Sequence, residues 1–416
     1  MSPLLAAAGG PLGEILLSLV VILLAAKVGG ELSVRAGLPT VLGELVMGIL
    51  LGNLALTGWH GLEFLKHQPV LAVLAEIGVI LLLFEVGVES TVPQMLRVGP
   101  VALLVAVVGV VVPTGLGLVV AKLFFPNESF YAHLFIGTVL CATSVGITAR
   151  VLKEIRKSDS AEAKIIVGAA VIDDILGMIL LATVTGMILA AGRGSTLSVV
   201  GVAWIAGKAV LFLVGAIVVG LWLAPRMYAV ATRLRSGGWL LPLSLAFCFA
   251  LSFLAELAGL AALVGAFTAG LILEDVQFRD LATKEEYELH DLLHPVIGFF
   301  LPIFFVLMGL RVDARAFAQT EILLFAGILT AVAIVGKHAC GVVVWGGRAD
   351  RWAVGLGMIP RGEVGLVFAG VGTTLVLGNR AVVTPAVFSA CVIMVVLTTF
   401  VTPPLLKWRF GRLESR

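Results

Sequence analysis

The sequence predicts an all-α, polytopic membrane protein of about 13 transmembrane helices. Three observations carry that expectation. Of 416 residues, 60% are hydrophobic and 13% are charged, whereas an average soluble domain is about 45–50% apolar and about 25% charged. Mean hydropathy is +1.12. The apolar runs are continuous over about 20 residues, the length at which a helix crosses a bilayer. A membrane β-barrel would instead alternate apolar and polar residues along each strand. A soluble enzyme, a disordered chain and a coiled coil are excluded on the same grounds. The net charge of +2, without a long basic run, excludes nucleic acid as a partner. Cys141, Cys248, Cys340 and Cys391 lie inside apolar runs and form no CxxC pair, so they are expected as buried small hydrophobes, without disulfide, metal or cofactor.

Breaks at proline, glycine and charged clusters place the spans at roughly 12–34, 39–57, 68–89, 98–122, 130–152, 163–190, 198–222, 238–256, 258–273, 292–311, 320–346, 350–377 and 384–406. The first, beginning in MSPLLAAAGGPLGEILLSLV, lacks the positive start of a signal peptide and is expected as an uncleaved span. With the N-terminus outside, eighteen of the 28 Lys and Arg residues fall in inside loops and six in outside loops, while Lys27, Lys208, Lys337 and Arg361 fall within spans. That bias predicts a cytoplasmic C-terminus in a cell membrane. The long polar stretch Glu274–His294 is expected as an interfacial helix and linker.

An internal repeat is visible. Gly43 and Gly48 of span 2 match Gly265 and Gly270 of span 9, and Gly87 matches Gly309, all at one common offset along the chain. Spans 2 and 9 are seven apart, and an odd separation turns one half over relative to the other. Inverted repeats are a common construction in secondary transporters, whose sites lie near the midplane on discontinuous helices. The same offset sets Thr143–Ala149, in CATSVGITAR, against Gly365–Val371 of span 12, which reads GLGMIPRGEVGL. Both stretches are rich in helix-interrupting residues.

Each ionisable residue at bilayer depth needs a reason, because it costs about 2.5–3.5 kcal/mol on insertion scales. Asp173 and Asp174 sit in GAAVIDDILGMILLATV, about 100° apart on a helix, so one can face a partner helix and the other a cavity. Neighbouring carboxylates also couple in titration. Lys337, in VGKHACG, is either a structural ion pair or a group that exchanges protons. Arg361 and Glu363 are expected to balance the partial charges of half-helix ends. Glu85 is either a hydrogen-bonded core residue or an accessory titrating group. Glu44 lines a funnel or packs.

Together, ATSVGITARVL, GAAVIDDILG, VGKHACG and PRGEVGL resemble the bacterial monovalent cation/proton antiporters, most closely the electrogenic sodium/proton antiporters of the NapA type. The resemblance runs from about residue 11 to 408. It implies two broken helices crossing at the midplane, a mobile core (98–190 and 320–406), a dimerisation scaffold (12–89 and 198–311) and a homodimer. Carried over, Asp174 is the main sodium- and proton-binding carboxylate and Asp173 pairs with Lys337. Thr143 and Ser144 help ligate the ion, and Glu363 and Arg361 stand at the crossing. Electroneutral relatives usually carry Asn in place of the first aspartate, so Asp173 with Lys337 implies net charge movement. Glu85 departs from the family pattern, where relatives mostly have an apolar residue. No nucleotide-binding regulatory domain like that of the glutathione-gated potassium relatives is expected.

The mechanism implied is alternating access, with cation and proton competing for Asp174 and no enzymatic chemistry. An intramembrane aspartyl protease would need its two aspartates on separate helices. A sodium-coupled organic-anion symporter can share broken helices but does not call for the aspartate pair with a buried lysine. A potassium/proton antiporter on the same scaffold is the nearest alternative, and sodium, lithium and potassium are not distinguished by sequence.

Overall fold

Proline marks several helix starts. Its missing N–H costs nothing in the first turn, and it is the first residue of helices α1 (Pro11–Arg35), α3 (Pro69–Glu89) and α15 (Pro385–Glu414). In this computed structural model, the residues described are 11–36, 39–58, 61–89, 99–158, 160–192, 199–231, 238–275, 289–312, 314–315, 319–345, 349–378 and 380–414. Between those three helices come α2 (Thr40–Gly52), α4 (Gly99–Phe124), α5 (Phe130–Val139), α6 (Val145–Glu154), α7 (Ala161–Gly192), α8 (Val199–Ala231), α9 (Leu240–Leu257), α10 (Ala262–Asp275), α11 (Leu289–Leu310), α12 (Thr320–His338), α13 (Arg351–Gly357) and α14 (Glu363–Thr374). A short antiparallel hairpin, β1 (Val376–Leu377) and β2 (Arg380–Ala381), joins α14 to α15.

Among the described residues, nine helices are long and apolar enough to cross a membrane, and four shorter apolar helices accompany them. The chain is thus a multi-pass, almost wholly helical membrane protein. Two expected spans are not single helices. Span 130–152 divides into α5 and α6, and span 350–377 divides into α13 and α14. Of the stretch Glu274–His294, residues 276–288 lie outside the described residues. Residues 289–294 form the first turns of α11 and continue unbroken to Leu310, which corrects the interfacial expectation there. The apolar run after His294 carries the helix straight into the span. Several cations behind the orientation argument, among them Arg97, Arg193, Arg233 and Lys284, also lie outside the described residues.

The chain forms two compact units. The first comprises Met1–Ser90 and Leu211–Arg315, the second Thr91–Val210 and Ala316–Arg416. The opening turns of α8 therefore group with the second unit.

In the first unit the glycines of the repeat are contact points. A Cβ at Gly48 would fall 2.9 Å from the Cα of Gly309, and one at Gly87 would fall 3.0 Å from the Cα of Gly270. Exchanging the halves by the repeat offset turns one contact into the other. Gly43 likewise meets Gly29, and at the equivalent place in the second half Gly265 meets Leu251. Without a driving force from water, helices in lipid associate by close backbone approach, which small residues permit. The repeat is therefore preserved as packing as well as sequence. Glu44 is buried on α2 and interacts electrostatically with Lys27 of α1. Glu85 is half-buried on α3.

The second unit holds α4–α7, α12–α15 and the hairpin. Ser129 caps α5 by accepting from Ala132 N at 3.1 Å. Asp350 caps α13 by accepting from Ala353 N at 2.7 Å, and its carboxylate also receives the Arg409 guanidinium of α15 in a two-point ion pair. Glu162, in the first turn of α7, accepts from the Asp350 backbone N–H at 2.8 Å. The Arg409 hydrogen bond is the main reason the Asp350 carboxyl is held below its ordinary value, with burial opposing it. A carboxyl lowered on folding stabilises the protein above its unfolded-state value, and that contribution is lost as pH falls through the folded value. Arg409→Ala should therefore lower the melting temperature at neutral pH by a few degrees and flatten its decline in acid. An unchanged acid profile would show that this pair does not couple to folding.

Candidate functional site

Helix α7 supplies the aspartates. Small and apolar residues surround them, so the helix can be buried on nearly all sides. Asp173 is 1% exposed and Asp174, about 100° further round, is 7% exposed. Lys337, in the last turn of α12, donates from Nζ to Asp173 Oδ1 at 2.7 Å, with neither side chain exposed. Asp173 Oδ2 is also buried and has no hydrogen-bond partner among the described residues. The burial penalty of two ions is offset only by close pairing, and this pair has the distance for it. His338, next to Lys337, lies instead against Trp352 with ring centroids 4.7 Å apart. Helix α4 also approaches the pair. A Cβ at Gly109 would fall 3.2 Å from both Asp173 Oδ1 and Lys337 Nζ, so a glycine there leaves the pair its room.

The two broken spans meet through their non-helical stretches. Ser144 N donates to Pro360 O at 2.9 Å. Arg361, wholly buried, donates from Nη1 to Ala142 O at 2.7 Å and to Cys141 O at 3.3 Å. Both carbonyls lie in the non-helical stretch that follows α5. Arg361 lies within electrostatic reach of Asp173. Its Nε and Nη2, and Thr143 Oγ1, are buried without hydrogen-bond partners among the described residues. Glu363 is the first residue of α14, the expected place for an acid at a helix start. Its side chain lies outside the described residues.

The register of the crossing corrects one expectation. Helices α5 and α13 end at Val139 and Gly357, and α6 and α14 begin at Val145 and Glu363. Both pairs share one separation, and it is shorter than the glycine offset. Thr143 thus corresponds to Arg361 and Ser144 to Gly362, one helical turn away from the expected pairing with Gly365–Val371. The chain from Gly309 to Gly357 is four residues shorter than that from Gly87 to Val139, a difference that connecting segments absorb readily.

Several positioning residues carry no signal in the sequence. Thr399 of α15 donates to Arg361 O at 2.7 Å, and Thr148 of α6 donates to Gly357 O at 2.6 Å. Both tie a free carbonyl of the α13–α14 break. A Cβ at Gly362 would fall 2.6 Å from Ser144 Oγ. Threonines inside apolar helices usually bond their own helix, so only the tertiary contact separates Thr148 and Thr399 from the others. Asp173, Asp174, Lys337, Thr143, Ser144 and Arg361 all belong to the second unit, whereas Glu44 and Glu85 belong to the first.

The chain resembles known proteins over nearly its whole length. The sodium/hydrogen exchanger transmembrane family model matches residues 15–408. The high-affinity Na(+)/H(+) antiporter NhaS3 of Synechocystis sp. is 40% identical over 95% of this chain and 90% of its own. The Na(+)/H(+)-K(+) antiporter GerN of Bacillus cereus is 32% identical over 96% of this chain and 97% of its own. Among solved structures, the sodium proton antiporter MjNhaP1 of Methanocaldococcus jannaschii superposes with a TM-score of 0.67 at 16% identity, covering 94% of this chain and 96% of that one. The fold is thus the sodium/proton antiporter fold. With a match across nearly its whole length and relatives at this identity, the chain belongs to the sodium/hydrogen exchanger family.

Proposed function

We propose that the protein exchanges sodium or lithium for protons across the membrane by alternating access, with net movement of charge. The observation that carries this reading is the wholly buried Asp173–Lys337 pair directly beside Asp174. A hard monovalent cation prefers oxygen ligands. Asp174 supplies an anionic one, and Thr143 Oγ1, Ser144 and the carbonyls of the crossing supply neutral ones. A proton displaces the cation by neutralising Asp174. When the cation returns, Asp174 releases its proton and the Asp173–Lys337 pair opens and releases a second. Two protons against one cation move one net charge, and a potential of 100 mV then contributes about 2.3 kcal/mol per cycle. The second unit is the moving one and the first unit is the scaffold and dimer surface. The N-terminus lies outside and the C-terminus in the cytoplasm of a bacterial inner membrane. Exchange needs no covalent step. Asp173 and Asp174 share helix α7, an arrangement that does not serve an aspartyl protease.

Potassium is the second reading, favoured by the description of the GerN relative as a Na(+)/H(+)-K(+) antiporter. The experiment is reconstitution into vesicles with an internal pH dye and an imposed proton gradient. Addition of sodium, lithium and potassium in turn should dissipate the gradient for sodium and lithium, faster with a permeant counter-ion that collapses the potential. An equal response to potassium moves the protein to the second reading. No response to any cation over a wide pH range would sink both, and a sodium-coupled organic-anion symporter would be tested next.

A further inference from the structure

Helix α4 contributes no ionisable side chain to the site, yet two of its residues touch the surroundings of Lys337. A Cβ at Gly109 would lie 3.2 Å from Lys337 Nζ, 3.2 Å from Asp173 Oδ1 and 3.1 Å from Cys340 Sγ. One turn further along α4, Pro113 packs on Gly336, where a Cβ would lie 3.1 Å from the Pro113 Cα and 3.3 Å from its N. Residues 109 and 113 therefore share one face of α4, and that face lies along Gly336 and Lys337 of α12. Pro113 lies inside the helix. It has no N–H, so the carbonyl of Gly109 lacks the donor that residue i+4 supplies in a regular helix. That carbonyl points along α4 from Gly109 towards Pro113, between two places that both abut α12. A proline also bends the helix and opens the bonds around it.

We infer that the Gly109 carbonyl is a second acceptor for Lys337, taken up when the Asp173–Lys337 pair opens during exchange, and that Pro113 is the positioning residue that keeps it available. The ammonium group has three N–H donors and one is used by Asp173 Oδ1. While the pair opens, and before Lys337 gives up its proton, a buried ammonium without an acceptor would raise the barrier to the intermediate. A carbonyl already lacking its helical donor supplies one without breaking another bond. The lack of a side chain at Gly109 leaves the space beside Asp173 Oδ1 and Lys337 Nζ unfilled. The inference rests on the cation/proton exchange proposed above.

The test separates the missing N–H from the proline ring. Pro113→Ala restores the donor and closes the Gly109 bond within α4. Lactic acid at position 113, introduced by nonsense suppression, replaces that N–H with an ester oxygen and also lacks the ring. Sodium-dependent exchange is measured in vesicles for both and for the wild type, as maximal rate and apparent KM. Pro113→Ala should lower the maximal rate roughly tenfold, the scale of one hydrogen bond to a charged group. Its apparent KM should stay within about twofold, because the resting pair is untouched. The lactic acid protein should return to the wild-type rate. Pro113→Gly restores the same N–H while keeping the helix pliable, and it replaces Pro113→Ala if that variant does not fold. An unchanged rate in the variant that restores the N–H, or an equal loss in that variant and the ester, would overturn the inference. Absence of exchange in the wild type would instead remove the functional reading on which it rests.

Discussion

Asp174→Asn is expected to reduce cation-driven proton movement to the background of empty vesicles, with expression and melting temperature close to wild type. The amide keeps the size of the side chain but cannot carry the negative charge that attracts the ion. A unit charge at 4 Å in a medium of effective dielectric about 20 interacts by about 4 kcal/mol, roughly a thousandfold in occupancy. The folded protein should tolerate the change, since an amide resembles the protonated acid that the exchange cycle already includes. Asp174 is nearly buried, at 7% exposure, so a neutral group there removes a desolvation cost as well. Exchange at the wild-type rate in this variant would end the assignment of Asp174. Loss of exchange together with loss of folding would make the residue structural. The pH dye and a melting curve on the same preparation distinguish the two.

The second large effect is on stability. Lys337→Met should destabilise the protein by about 3–5 kcal/mol, because it leaves the Asp173 carboxylate buried without its cation. The pair has no exposure on either side, so water cannot take the place of the lost partner. Adding Asp173→Asn should recover most of the loss, since removing both charges also removes both desolvation costs. Thermal melting of the wild type, the two single variants and the double variant reads the coupling directly. Equal melting temperatures throughout would show that the pair contributes nothing to the fold. The exchange reading adds a further expectation: the double variant, if it transports, should move less charge per cation than the wild type.

The helical membrane class was legible because the bilayer leaves a chain few options. Long apolar runs must become helices, and every backbone group must be satisfied within the segment or by a neighbour. The charged residues were legible for the same reason, since a group that costs several kcal/mol in lipid stands out against an apolar background. Asp173, Asp174, Lys337 and Arg361 all stand out this way in the sequence, and all four fall in the second unit. The glycine repeat was legible because close backbone contact restricts residue type, and Gly48 with Gly309 and Gly87 with Gly270 show that restriction at work.

Residues that act through their backbone, or through a single hydrogen bond to a distant carbonyl, were not legible. Thr399 and Thr148 read like any threonine in an apolar helix until their partners at Arg361 and Gly357 are seen. Gly109 is one glycine among 48, and only its place under the ion pair gives it meaning. The register of the crossing was missed by one helical turn, because periodicity locates a break to within a turn but does not count the loops between breaks. Sequence alone therefore determined the membrane class, the repeat and the charges that need partners, since each follows from the transfer cost of one residue into lipid or from close backbone contact. The tertiary structure decided which carbonyls are tied and where the two breaks meet. Those depend on distances between segments far apart in the chain, which no local pattern encodes.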